Sequence, residues 1–79
     1  MSIHESGQMY LETIYILSQT KSYVRAIDVG EHLGYSKPSV SRAMSILKKN
    51  GYVLVDSDGA ITLTESGMEI AQTMYTRHT

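Results

Sequence analysis

Apolar positions along this chain alternate between helical and strand spacing, and the switches predict six elements in order. Between His4 and Gln19, the residues Tyr10, Leu11, Ile14, Tyr15 and Leu17 fall at helical intervals, and Ser18 to Tyr23 follows as a polar connection. Ala26 to His32 carries Ile27 and Val29, with Leu33 next, and stops at Gly34, which predicts a second, short helix. The third helix is bounded more sharply. The Ser36 hydroxyl suits an N-cap, Pro38 is tolerated in the first turn, and Asn50-Gly51 supplies a left-handed stop. Gly51 to Val55 is β-prone, Asp56-Ser57-Asp58-Gly59 reads as a turn with an Asp-Gly signal, and Ala60 to Leu63 is a second strand. Thr64 then caps a last helix, with Glu65 near its positive end and Ile70, Ala71, Met74 and Tyr75 on its apolar side.

A short helix, a tight turn containing glycine and a longer helix make a helix-turn-helix, and a hairpin directly after it makes a wing. The expected fold is therefore mainly α with a small β-hairpin: a winged helix-turn-helix, in which a three-helix bundle carries the wing and a C-terminal helix. No repeat, linker or low-complexity tract interrupts the order, so residues 1–79 read as one domain. A chain of this length buries only about 60% of its unfolded surface, enough for one core and one site.

The third helix has two unlike sides. At about 100° per residue, Val40, Met44 and Leu47 share one face with Ala43 beside them, while Pro38, Arg42, Ser45 and Lys49 point the opposite way, flanked by Ser39 and Ser41. That outward face holds short hydroxyls and cations and no acid. Short hydroxyls allow close approach to phosphates and base edges, and the Arg42 fork pairs with a guanine edge or a phosphate. The plainer reading is a solvated helix that happens to lack Asp and Glu.

Charge distribution sharpens the contrast. The formal net charge is only −1, yet four of the seven Lys and Arg residues (Lys37, Arg42, Lys48, Lys49) lie in one acid-free stretch. An interface feels that local polarity more than the sum. Arg25, at the start of the second helix, is a further phosphate contact on this reading. The expected wing is weaker, because Asp56 and Asp58 at its tip would repel phosphate.

Cysteine is absent, which excludes disulfide staples and thiolate metal sites. The start lacks a basic region followed by an apolar run, and no segment approaches the roughly 20 apolar residues that span a bilayer, so a soluble, cytoplasmic chain without a membrane partner is expected. No nucleophile with a base, no Gly-rich phosphate loop and no paired carboxylates suggest an enzyme or a small-molecule substrate. His4, His32 and the six tyrosines carry no assigned chemistry; the tyrosines are expected to be half-buried, with wet hydroxyls.

A second constellation lies at the ends of the chain. Met9 and Glu12, three residues apart, share a helix face, with Glu5 one turn earlier, and His78 continues the inward stripe of Ala71 and Met74 on the last helix. A thioether, a carboxylate and an imidazole together suit a borderline divalent ion such as Fe(II), Mn(II), Co(II) or Ni(II). Each also has a plain alternative: Met9 as core, Glu12 as a solvated acid, His78 as a frayed end.

Five runs together, Met9-Tyr10-Leu11-Glu12-Thr13-Ile14-Tyr15, Val24-Arg25-Ala26-Ile27-Asp28-Val29, Ser36-Lys37-Pro38-Ser39-Val40-Ser41, Ile61-Thr62-Leu63-Thr64-Glu65-Ser66-Gly67 and Arg77-His78, resemble the diphtheria toxin repressor and manganese transport regulator family. The resemblance covers essentially the whole chain. It implies a metal-activated repressor in which a divalent ion lets a homodimer grip double-stranded DNA at a palindromic operator and shut down metal-uptake genes. It implies base or phosphate contacts from Ser36, Pro38, Ser39, Ser41 and Arg42, a phosphate contact from Arg25, and metal ligation by Met9, Glu12 and His78. Methionine at position 9 resembles the iron-responsive branch, since manganese-selective members carry aspartate there.

The chain also departs from the family pattern. Family members continue past the helix holding His78 into a dimerisation domain with further carboxylate and imidazole ligands, whereas this sequence stops at Thr79. The expected Fe(II) or Mn(II) site is thus incomplete, with at most three protein ligands, and a dimer would need another interface, such as the first helix or an exchanged element. Two other readings stay open: a winged-helix DNA-binding domain without metal control, and a winged-helix protein-interaction module that does not bind DNA. DNA binding would weaken steeply with salt, which separates the first from the second.

Overall fold

The computed structural model describes the backbone of residues 5–78 and the side chains of residues 7–76. Six elements follow in order: α1 (Glu5–Ser18), α2 (Ala26–Leu33), α3 (Lys37–Lys49), β1 (Val53–Val55), β2 (Ile61–Leu63) and α4 (Glu65–His78). The two strands pair antiparallel, Val53 opposite Leu63 and Val55 opposite Ile61. This is the expected winged helix-turn-helix.

Local chemistry sets the element ends. Gly34 adopts a left-handed φ of 75°, and its N–H and that of Tyr35 both donate to the Gly30 carbonyl, at 2.8 and 3.0 Å. That closes α2 and starts the turn into α3. The Ser36 hydroxyl accepts from the Ser39 N–H at 3.4 Å, as an N-cap should, and donates to the Ser39 hydroxyl at 3.0 Å. Thr64 caps α4, accepting from the Gly67 N–H at 3.2 Å while donating to the Gly51 carbonyl at 2.6 Å.

The strands are shorter than their β-prone sequence suggests. Gly51 turns left-handed, with φ 80°, and the Tyr52 N–H donates back to the Leu47 carbonyl at 2.9 Å, so these residues finish α3 rather than begin β1. At the other side of the turn, the Ala60 carbonyl accepts from the Asp56 N–H at 3.0 Å and closes the wing tip.

α1 packs along α4 and also touches α2, α3 and β2, which puts it at the centre of the domain. Leu11 and Ile14 from α1, Val29 from α2, Val40, Met44 and Leu47 from α3, Val53 and Ile61 from the strands and Ala71 from α4 form one buried cluster. Two tyrosine pairs extend it: Tyr15 meets Tyr75 of α4 edge-on at 5.4 Å, and Tyr10 meets Tyr35 at 5.9 Å. The Ile61 N–H donates to the Val24 carbonyl at 2.7 Å, pinning the segment before α2 against the wing. The expectation of six half-buried tyrosines needs correction. Tyr10 and Tyr52 are buried, whereas Tyr23 is 66% exposed.

Candidate nucleic-acid interface

The inward face of α3 is held by Val40, Met44 and Leu47, all buried, so the side chains on the other half turn must face solvent. Ser36, Lys37, Pro38, Ser39, Ser41, Arg42, Ser45 and Lys49 are all exposed. The helix therefore presents together the whole set of residues singled out on it from the sequence. Its N-terminus adds the positive end of the helix dipole, which favours an anionic ligand, while Ser36 already takes the Ser39 and Val40 N–H groups. Lys48 and Lys49 carry positive charge in the last turn.

One cation of the acid-free stretch was not counted among the expected contacts. Lys48 is exposed and lines, with Ser41 and Ser45, a groove of ≈ 300 Å³ between α3 and the wing residues Val55 and Gly59. The spacing 41, 45, 48 is a helical stripe, so the signal was present in the sequence.

Arg25 sits apart from α3 and is anchored. Its Nε donates to the Asp58 carbonyl at 3.2 Å, its guanidinium lies 5.9 Å from the centroid of the Tyr23 ring, and its backbone N–H donates to the Asp28 carboxylate at 2.9 Å. Of five guanidinium N–H donors, the wing contact uses the one on Nε. Asp28 also pairs with Lys21 at 3.5 Å.

The wing tip carries the two exposed acids expected there. One Asp56 carboxylate oxygen accepts from the N–H groups of both Asp58 and Ala60 at 2.9 Å, so this acid also folds the turn.

Met9 and Glu12 lie one turn apart on α1 but in unlike surroundings. Glu12 is 8% exposed and Met9 36%. The plain alternative of a solvated Glu12 does not hold: the side chain is buried and has an interaction partner in the fold. The Tyr35 hydroxyl donates to the Met9 sulfur at 3.6 Å. The side chains of Glu5 and His78, and all of His4, lie outside the described residues, and among the described residues no three His, Cys, Asp or Glu side chains form a metal-binding group. The two donors in view, a thioether and an enclosed carboxylate on one flank, nevertheless suit a borderline divalent ion as part of a larger set.

The profile of the family described as "Iron dependent repressor, N-terminal DNA binding domain" matches residues 2–61, which take in α1 to β1 and reach the first residue of β2. The chain belongs to this family. An iron dependent repressor DNA-binding domain is thus the frame for the basic face of α3. The HTH-type transcriptional regulator MntR of Geobacillus thermodenitrificans (strain NG80-2) is 35% identical over 73 residues, covering 92% of this chain and 52% of that regulator. The manganese regulator SloR superposes with a TM-score of 0.78 at 28% identity, over 99% of this chain and 35% of SloR. S. aureus MepR, in complex with DNA, shares the fold with a TM-score of 0.74 at 22% identity, over 96% of this chain and 57% of MepR. The chain spans about half the length of the curated relative, so this repressor-family domain corresponds to one part of such regulators.

Proposed function

We propose that this chain is the DNA-reading domain of a cytoplasmic transcriptional repressor that acts as a homodimer on a palindromic operator of metal-homeostasis genes and depends on a divalent transition metal. The exposed, acid-free face of α3 carries the reading: four cations and three serines project from a helix whose other side is locked into the core. In the major groove, Arg42 faces a base edge or phosphate, while Pro38, Ser39, Ser41 and Ser45 permit close approach and supply hydroxyl donors. Lys37 and Lys49 meet phosphates at the two ends of the helix, Ser36 donates near the N-terminus, and Arg25, braced by the wing, meets the backbone beside it.

Met9 and Glu12, with His78, are the residues that would hold the metal. A bound divalent ion supplies positive charge and a fixed coordination geometry. The Met9 thioether tilts this set toward Fe(II), whereas SloR is a manganese regulator, so both ions belong in the test. A second reading keeps the DNA-binding role without metal control. It is favoured by Glu12, which already has a partner in the fold.

The test is fluorescence anisotropy of labelled duplexes from upstream of the gene, titrated with this chain at fixed salt, first with chelator and then with Fe(II) or Mn(II). Tighter binding with metal that His78→Ala abolishes supports the proposal. Equal binding in both conditions supports the metal-independent reading, and no sequence-selective binding overturns both.

A further inference from the structure

Tyr35 occupies a position between the two halves of the proposed function. It directly precedes Ser36, the N-cap of α3, and its own N–H is tied to the Gly30 carbonyl at the end of α2. Its ring leans on Tyr10 of α1 at 5.9 Å, and its hydroxyl donates to the Met9 sulfur at 3.6 Å. At 43% exposure the side chain is not placed there by burial alone. The hydroxyl gives a side-chain hydrogen bond from the helix-turn-helix turn to the face of α1 that carries Met9.

We infer that Tyr35 is a positioning residue that couples the state of the Met9 sulfur to the N-terminal turn of α3. The inference rests on the reading of Met9 as a metal ligand. A thioether sulfur is a weak acceptor, and one that donates a lone pair to a cation is poorer still toward an O–H. Occupation of Met9 therefore changes the polar contact that holds the Tyr35 hydroxyl among the described residues. Because Tyr35 is covalently next to the N-cap, any shift is felt where Ser36 fixes the first turn of α3. The Ser36 cap, the Gly34-Tyr35 turn and the Tyr10 ring leave the peptide little other freedom, so the contact acts on orientation rather than on folding.

Binding coupling is reciprocal, and reciprocity gives the test. Mn(II) affinity is measured from the free-ion signal in electron paramagnetic resonance, with and without a duplex selected by this chain from a random-sequence pool. Duplex affinity is measured with chelator and with Mn(II). Wild type, Tyr35→Phe, Met9→Leu and the double variant complete a cycle, with circular dichroism melts checking that each folds.

Tyr35→Phe keeps the ring but lacks the contact that occupation of Met9 weakens, so its duplex affinity in chelator rises by about fivefold while its affinity with Mn(II) stays at the wild-type level. Its gain in duplex affinity on adding Mn(II) falls by about fivefold, the factor that corresponds to one ordinary hydrogen bond, and the gain in Mn(II) affinity on adding duplex falls equally. In the Met9→Leu background the same change has no further effect. If wild type and Tyr35→Phe gain equally from Mn(II), or if the two changes add, the coupling role of Tyr35 is overturned while metal-dependent binding stands. If wild type itself gains nothing from Mn(II), the metal-dependent reading falls and the coupling falls with it.

Discussion

The guanidinium of Arg25 donates through Nε to the carbonyl oxygen of Asp58 at 3.2 Å, tying the start of α2 to the tip of the wing across 33 positions of sequence. Because the acceptor is a backbone carbonyl, the two side chains can be separated by mutation. Arg25→Ala is expected to weaken duplex binding on all sequences alike and to lower the slope of log affinity against log salt by about 0.9, the value for one phosphate contact. Asp58→Ala leaves the carbonyl in place and removes an exposed negative charge, so it should tighten binding at low salt. Anisotropy titrations across a salt series measure both effects.

Arg42 and Lys49 share the outward face of α3 but should act differently. A guanidinium in the middle of the helix reaches base edges, whereas an ammonium in the last turn meets the backbone as a point charge. Arg42→Ala is expected to remove about 1–3 kcal/mol on the preferred duplex and to relax discrimination at one base pair, while Lys49→Ala weakens every sequence equally. A panel of single-base variants of the selected duplex, titrated with each mutant, separates the two patterns. Uniform loss with Arg42→Ala would reassign that residue to the backbone.

The helices and the exposed face of α3 were legible because each rests on local chemistry: Ser36 and Thr64 at caps, Gly34 and Gly51 at stops, and a 3.6-residue stripe through Val40, Met44 and Leu47. What sequence could not show depends on contacts between distant positions. Tyr52 looks like a strand residue, yet its N–H returns to Leu47 and completes a helix. Asp56 reads as a charge at the tip, and its carboxylate also accepts from two N–H groups that shape the turn. Glu12, an acid on a helix face, is buried once the helices pack. Lys48 is the exception, since its stripe with Ser41 and Ser45 was readable and was passed over.

Tyr10 sets an alkaline limit to stability. Burial, and then the nearby Tyr35 phenol, raise its pKa above the ordinary 10.0. The unfolded chain therefore releases this proton first, and between the ordinary and the raised value it binds fewer protons than the folded chain, so unfolding free energy falls as pH rises. The stabilisation is fully present below the unfolded pKa and is lost as pH passes through the folded one. Urea unfolding at about pH 9 and about pH 11 should show this loss, and Tyr10→Phe should make the slope shallower. An identical slope in both proteins would place the alkaline transition on other groups.

Gly67 lies in the first turns of α4, where alanine would ordinarily be preferred by about 1 kcal/mol. Here the sign should reverse. A Cβ at Gly67 would collide with the Tyr52 carbonyl oxygen and stand 3.0 Å from its carbon and 3.4 Å from Leu63 Cδ2. The Tyr52 carbonyl cannot give way freely, since it accepts from the Thr64 N–H at 3.1 Å and stands beside the end of α3. Gly67→Ala must then push α4 away from the wing or break the Thr64 cap. Overpacking of this kind is expected to lower unfolding free energy by about 2–3 kcal/mol, whereas Glu69→Ala, exposed on the same helix, should stay within about 0.5 kcal/mol of wild type. Urea unfolding measures the pair side by side. A Gly67→Ala protein as stable as wild type would mean that α4 and the Tyr52 backbone do not meet as closely as described.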